Sequence, residues 1–254
     1  MTGSKWRLDG RKALITGGSK GIGRAAAAEF VALGAEVILV ARDRQEIDIA
    51  LDRLGPTAHG VAADVATREG RQAAVARAEA LWGSLDVLVN NAGTNIRKKI
   101  HEYAPGDYDK LVRTNLESVF EMCRLAYPLL RKSAAGAAVI NVGSVAGTVA
   151  IGTGVLYGMT KAAIARISRE LALEWGREGI RVNTVLPWYT YTPLTEGLLS
   201  RPEFEARVNA RTPLGRAAQP DEVAAAIAFL AMPAASYITG AELAVDGGFL
   251  GSGW

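Results

Sequence analysis

The sequence predicts a doubly wound α/β fold with a seven-stranded parallel sheet, and three observations carry that reading. Short, almost wholly apolar runs recur along the chain, as they do in strands buried on both faces. Ala-rich or amphipathic stretches long enough for helices separate them. Glycines cluster where the apolar runs end. The chain has 28 of them in 254 residues, about 11% against a usual ~7%.

The elements follow in order. Ala13-Leu14-Ile15-Thr16 is a strand ended by Gly17-Gly18, and residues from about Ile22 to Leu33, with charged Arg24 and Glu29, suit a helix. Gly34 ends that helix, and Val37-Ile38-Leu39-Val40 reads as the next buried strand. Further strands are expected near 59–63, 85–90, 137–142, 180–186 and 242–246, with helices between them. The segment 188–213 breaks the alternation. It holds Pro193, Pro202 and Pro213, with Leu194, Leu198, Leu199 and Phe204 between, and two short helices are expected there. Ligands of open α/β sheets bind beyond the carboxyl ends of the strands. This segment follows the sixth strand on that side and is a candidate substrate lid. One domain over residues 1–254 is expected.

Composition removes several function classes. The chain carries 29 Lys+Arg against 26 Asp+Glu, a net +3, with no basic block, so a nucleic-acid partner is not expected. Its 49% hydrophobic content and small net charge argue against disorder. No apolar run of about 18 residues is present, so no membrane span is expected. The first ten residues lack the apolar core of a secretory signal. One cysteine, Cys123, cannot form an internal disulfide, and a reducing compartment, the cytoplasm, is expected. His59 and His101 are far apart and no H-E-x-x-H or C-x-x-C occurs, so no metal site is expected.

Thr16-Gly17-Gly18-Ser19-Lys20-Gly21-Ile22-Gly23 joins the first strand to the first helix. Such a loop aims backbone N–H groups and a helix N-terminus at a pyrophosphate, and its missing side chains permit close approach. Tyr157 and Lys161, four apart in a helical stretch, share one face. An ammonium beside a phenol favours phenolate and suits it to exchange a proton at neutral pH. Ser144 follows the apolar run 138–142 at a carboxyl end, in surroundings that lack the G-x-S-x-G elbow of a hydrolase. Asn115 is a poor helix former inside a helical stretch. Cys123, among Phe120, Met122 and Leu125, reads as helix packing.

The glycine spacing is T-G-x-x-x-G-x-G. Asp64-Val65, Asn90-Asn91-Ala92-Gly93, Asn115, Ser144 and Tyr157-Gly-Met-Thr-Lys161 follow it in order. In these motifs the chain resembles the short-chain dehydrogenase/reductase family over nearly its whole length. The resemblance implies a single Rossmann domain and an oxidoreductase acting on CH–OH/C=O groups. It makes Ser144, Tyr157, Lys161 and Asn115 catalytic: Ser144 orients the carbonyl, Tyr157 exchanges the proton, and Lys161 with an Asn115-held water relays it. Gly17, Ser19, Lys20, Gly21, Ile22 and Gly23 would hold the cofactor phosphates. Asp64 and Val65 would flank adenine, with Asp64 also a possible helix N-cap. Asn91, Ala92 and Gly93 would line the ribose path, although Asn91 also suits tying strands together. Tyr157 and Lys161 would face the ribose. Pro187, Thr190 and Thr192 would meet the carboxamide, Thr190 standing where the family commonly has Ile.

Ala41-Arg42 ends the second strand where NAD enzymes usually place a carboxylate, and Lys20 stands in the glycine loop. Two cations there suit a 2′-phosphate, so NADP(H) is the expected cofactor. Asp43 is expected to turn away as the next helix begins.

After the sixth strand, Pro187-Trp188-Tyr189 replaces the family's usual Pro-Gly and resembles tropinone-reductase-like members. The expected substrate is a small carbonyl compound, a ketone that is cyclic or carries an amine, in a pocket of Asn95, Ser144, Val145, Ile151, Tyr157, Trp188, Tyr189, Leu194 and Leu198. Ordinary lid packing explains the aromatics equally well. A 3-oxoacyl-thioester or sugar-acid reductase is the alternative enzyme, and a non-catalytic NADPH-binding scaffold the alternative class. A homodimer or homotetramer is expected through the apolar helical segments around 107–132 and 155–175.

Overall fold

The computed structural model describes residues 4–252. The first three and last two residues of the expected 1–254 unit lie outside the described residues. Seven strands form one parallel sheet: β1 (Lys12–Thr16), β2 (Glu36–Ala41), β3 (Ala58–Ala62), β4 (Val87–Asn90), β5 (Ala137–Val142), β6 (Ile180–Pro187) and β7 (Glu242–Val245). Their order is β3-β2-β1-β4-β5-β6-β7. The winding reverses between β1 and β4, which places a crevice at their carboxyl ends. Thr16 pairs in register with Val40 on one side and Asn90 on the other, so the ends of β1, β2 and β4 are level at that crevice.

Consecutive strand residues point to opposite faces. Ile15, Leu39, Val89 and Ile140 join Phe30 and Ile227 in the core on one face, under α1 (Gly21–Ala32) and α9 (Pro220–Ala231). Their neighbours Leu14, Ile38, Leu88 and Val139 join Met122 and Trp175 on the other. That face carries α3 (Arg68–Trp82), α5 (Ser118–Leu130) and α6 (Val155–Trp175), while α2 (Arg44–Leu54) flanks the β3 edge. α4 (Asp107–Val112) runs into α5 through a π-helical turn, Arg113–Glu117. Two short helices, α7 (Glu196–Leu199) and α8 (Pro202–Ala210), fill the segment after β6, Pro202 occupying the first helical position of α8.

β4 is shorter than the 85–90 run. Leu85 N–H donates to Leu129 O and so leaves the ladder, while Asp86, whose backbone still bonds Lys12 O and Ala138 N–H, also accepts from Lys12 N–H through its carboxylate just before the strand. Among the described residues no helix is long and apolar enough to cross a membrane.

Candidate active site

The glycine loop opens at the crevice. Gly17 and Gly21 adopt φ values of +64° and +52°, which side chains rarely tolerate. A Cβ on Gly23 would stand 2.2 Å from Gly17 O and 2.5 Å from Asn91 Nδ2, so the first turn of α1 lies directly against the loop. Asn91 holds that loop by donating from Nδ2 to Thr16 O (3.0 Å) and Gly17 O (3.1 Å). The strand-tying reading of Asn91 is therefore the one its side chain shows. Thr16 Oγ1 accepts from Asn91 and Ala92 N–H, locking β1 to the end of β4. Ser19 is buried, while Lys20 is exposed and Ile22 half-buried on α1.

At the end of β2, Asp43 caps α2, its carboxylate accepting from Gln45 and Glu46 N–H. The cap satisfies two otherwise free donors of the helix and turns the Asp43 carboxylate into α2, as expected. Arg42 makes no ion pair among the described residues, whereas Lys20 Nζ lies 3.1 Å from Glu46. Asp64 is not the cap of α3. Thr67 takes that place, accepting from Gly70 N–H, while one Asp64 carboxylate oxygen accepts from Ala66 N–H. Val65 beside it is buried.

The proposed catalytic groups converge beyond β5. Ser144 directly precedes a 3-10 turn, Val145–Gly147, and its Oγ accepts from Ala146 N–H at 3.1 Å. Tyr157 and Lys161 lie on the first turns of α6, with Lys161 Nζ 5.7 Å from the Tyr157 ring centre. Buried Lys161 donates to Val142 O at 2.8 Å. Asn115 is fully buried in the π-helical turn. Its Oδ1 accepts from Thr94 N–H, and its Nδ2 donates to Thr94 O and Thr160 Oγ1. A Cβ on Gly93 would meet Asn115 Oδ1 at 3.5 Å and Lys161 Nζ at 3.6 Å, so this glycine keeps open the space those two groups share.

Burial pushes the Tyr157 phenol up from its ordinary value, opposed by the Ser144 hydroxyl and then by the charge of Arg97. Burial also pulls the Lys161 ammonium down to about 8. Lys161 is not among the groups that lower Tyr157 here, because an amine pulled down to about 8 is already neutral where the raised phenol titrates. Arg97, on the loop after β4, carries no sequence pattern that marks it. It acts on Tyr189 as well, again opposing burial.

The expected pocket residues separate into three environments. Trp188 and Val145 are buried in a cluster with Leu186, Leu199 and Phe249. Trp188 stacks on Phe249, ring centres 3.8 Å apart, and its indole N–H donates to Thr212 Oγ1. Tyr189 and Ile151 are half-buried on this cluster, and Leu198 is half-buried in α7, while Leu194 is 41% exposed. Asn95 donates from Nδ2 to Thr153 Oγ1, bracing the loop before α6. Pro187 ends β6. Thr190 is buried, its hydroxyl donating to Trp188 O. The Thr192 hydroxyl is paired with Thr195, and its methyl lies 3.2 Å from where a Gly21 Cβ would be. Thr192 therefore lies against the glycine loop at Gly21.

Cys123 is buried in α5, its thiol pushed up to about 12 by burial. The packing role expected for it is the one it has.

Residues 17–250 match the short-chain family model described as enoyl-(acyl carrier protein) reductase. A tropinone reductase homolog of Arabidopsis thaliana is 43% identical over 257 residues, covering 100% of this chain and 97% of the relative. A chloroplastic tropinone reductase homolog of the same plant is 46% identical, covering 96% of this chain and 77% of the relative. Among solved structures, the Pseudomonas aeruginosa RhlG/NADP active-site complex matches with a TM-score of 0.91 at 37% identity, over 96% of this chain and 98% of that one. A gluconate 5-dehydrogenase from Burkholderia cenocepacia, in complex with NADP and tartrate, matches with a TM-score of 0.92 at 33% identity, over 98% of both chains. With full-length relatives of this kind around a seven-stranded parallel sheet, the chain belongs to the short-chain dehydrogenase/reductase family and is an oxidoreductase acting on CH–OH/C=O groups.

Proposed function

We propose that this enzyme reduces a ketone to a secondary alcohol with NADPH, in a reversible reaction. The observation that carries the reading is the convergence of Ser144, Tyr157 and Lys161 beyond β5, beside the space that Gly93 leaves between Lys161 and Asn115. The crevice suits a dinucleotide. Gly17, Gly21 and Gly23 build a loop so tight that a Cβ on any of them would press on the chain's own atoms, and the N-terminus of α1 carries no acidic side chain in its first turn. The phosphates would lie against Gly17, Ser19, Gly21, Ile22 and Gly23, and adenine between Asp64 and Val65. Ala92, Gly93, Tyr157 and Lys161 would hold the ribose, and Pro187, Thr190 and Thr192 the carboxamide. NADP(H) rather than NAD(H) is supported by Lys20 and Arg42, by the engagement of Asp43 in a helix cap, and by the NADP in two similar structures.

NADPH, when bound, supplies the hydride that the carbonyl carbon accepts. The Ser144 hydroxyl donates to the carbonyl oxygen and orients it. Tyr157 gives its proton to that oxygen as negative charge develops there. Lys161, buried next to the phenol, returns a proton to it, and the Asn115 turn supplies the route from solvent. The α7–α8 segment acts as the lid. Half-buried Tyr189 and Ile151 suit a cyclic ketone.

Two findings favour a second substrate class, a carbonyl compound with a carboxylate, as in a sugar acid: the similarity to a gluconate 5-dehydrogenase and the exposed cation Arg97 on the loop after β4. The discriminating experiment follows NADPH and NADH oxidation across cyclic amino ketones, neutral cyclic ketones and keto acids. Preference for NADPH with neutral ketones supports the main reading, and preference for keto acids the second. NADPH binding without turnover of any class would favour the non-catalytic scaffold.

Residues 1–254 would act as one cytoplasmic domain, the buried single thiol suiting a reducing compartment. Exposed Tyr108, Phe120, Val155 and Met159 on α4, α5 and α6 support a homodimer or homotetramer. Gel filtration giving only monomer would remove that assembly.

A further inference from the structure

Lys20 is the residue just before α1, with a side chain 49% exposed and its Nζ 3.1 Å from Glu46 Oε1. Glu46 sits in the first turn of α2, directly after the end of β2. The other charges of that turn are already engaged. Asp43 caps α2, and Arg44 pairs with Asp48 at 2.9 Å. Arg42 has no ion-pair partner among the described residues, so of the two cations at this end of the crevice one is free and the other is neutralised by the chain itself.

We infer that Glu46 is a specificity-determining residue: by pairing with Lys20 it withholds that cation from the 2′-phosphate of NADP(H), so the chain binds NADPH less tightly than its two cations permit. The inference rests on the NADP(H) reading above. An exposed pair of this kind is individually weak, so a phosphate with nearly two negative charges takes Lys20 from it. The exchange still breaks an ion pair and leaves a carboxylate close to a bound dianion, and both effects oppose binding. NADH presents a neutral hydroxyl at the same place and does not draw on Lys20. Glu46 therefore narrows the discrimination between the two cofactors rather than creating it.

The test is titration of the cofactor-free protein with NADPH and with NADH, followed by nicotinamide fluorescence at low ionic strength, and needs no ketone. Glu46→Gln keeps the shape and removes the charge. It is expected to tighten NADPH by roughly three- to tenfold and to leave NADH within about twofold. In a Lys20→Met background the same substitution should bring no gain, and at high salt the gain should shrink. An unchanged or weaker affinity of Glu46→Gln for NADPH overturns the inference, and so does a gain that persists without Lys20. Failure of the underlying reading looks different: NADH binds the parent better than NADPH, or Lys20→Met alone costs nothing, and the role of Glu46 falls with it.

Discussion

Lys161 Nζ donates to the carbonyl oxygen of Val142 at 2.8 Å, which ties the second residue of the Tyr-x-x-x-Lys pair to the end of β5. The amine is thereby held 5.7 Å from the centre of the Tyr157 ring and 3.6 Å from where a Gly93 side chain would begin. It is positioned by backbone, with no carboxylate partner among the described residues. Burial without such a partner is what pulls it down to about 8.

This arrangement predicts a pH signature in stability. The folded value of about 8 lies below the ordinary 10.5, so between them the unfolded chain holds the proton that the folded chain gives up. Stability from this group is complete above the ordinary value and is lost as pH falls through about 8. The difference is on the order of 3 kcal/mol. Comparing melting temperatures of the cofactor-free protein and Lys161→Met from pH 7 to 10 isolates it, since the other groups are common to both. The parent should gain on the variant by roughly 5 °C or more. A constant offset would mean that the amine keeps its ordinary affinity for protons.

Tyr157→Phe removes the proposed proton donor while keeping the ring against Lys161. Turnover is expected to fall by at least about 10²–10⁴-fold, with NADPH affinity changed little, because the residues proposed to hold the phosphates and adenine lie elsewhere. Stopped-flow binding and steady-state rates on the same preparation separate the two. A variant that retains full turnover would remove Tyr157 from the chemistry.

Much of this was legible in the chain. Apolar runs marked the inner strands, because strands covered on both faces have no polar side, whereas the edge strands β3, which contains His59, and β7, which begins with Glu242, are only partly buried and carried a weaker pattern. Pro202 and Pro213 bracket α8 because proline suits a first helical position and cannot continue a helix. The features that escaped are those made by contacts between distant segments. Nothing near Glu46 signals that it reaches Lys20, and nothing near Trp188 signals that Phe249 stacks on it. The π-helical turn at Asn115 leaves only a poor helix former as its trace. Asp64 and Thr67 both suit a cap by type, and only geometry shows that Thr67 serves. Arg97 lies on an irregular loop, where no periodicity reports which way a side chain faces.

Gly23→Ala tests how tightly the loop is built. The added methyl would sit 2.2 Å from Gly17 O and 2.5 Å from Asn91 Nδ2, so the loop or α1 has to shift. Cofactor affinity should fall at least about tenfold, and stability by roughly 1–3 kcal/mol, as for overpacked sites. Gly176→Ala is the control: no atom within 4 Å opposes a Cβ there, and its φ of −59° is ordinary. That substitution should be neutral or slightly stabilising and leave NADPH binding unchanged. Equal behaviour of the two variants in NADPH titrations would detach the glycine loop from cofactor binding.

Trp188 and Tyr189 adjoin in sequence and are expected to answer differently to substitution. Trp188 is 9% exposed, stacked on Phe249 with planes 8° apart, and its N–H is bonded to Thr212. Trp188→Ala would empty that site and leave the Thr212 hydroxyl without its donor, costing about 3–5 kcal/mol. Tyr189 lies edge-on to Trp188 and Phe204, half-buried, with Arg97 acting on its hydroxyl. Tyr189→Phe keeps the ring packing and should cost less than about 1 kcal/mol, while changing the ranking of ketones by kcat/KM. Urea midpoints and a ketone panel read the two effects independently. If Trp188→Ala left stability intact and altered the ketone ranking instead, the pocket wall would belong to Trp188, and the cluster with Phe249 would not be what holds the α7–α8 segment down.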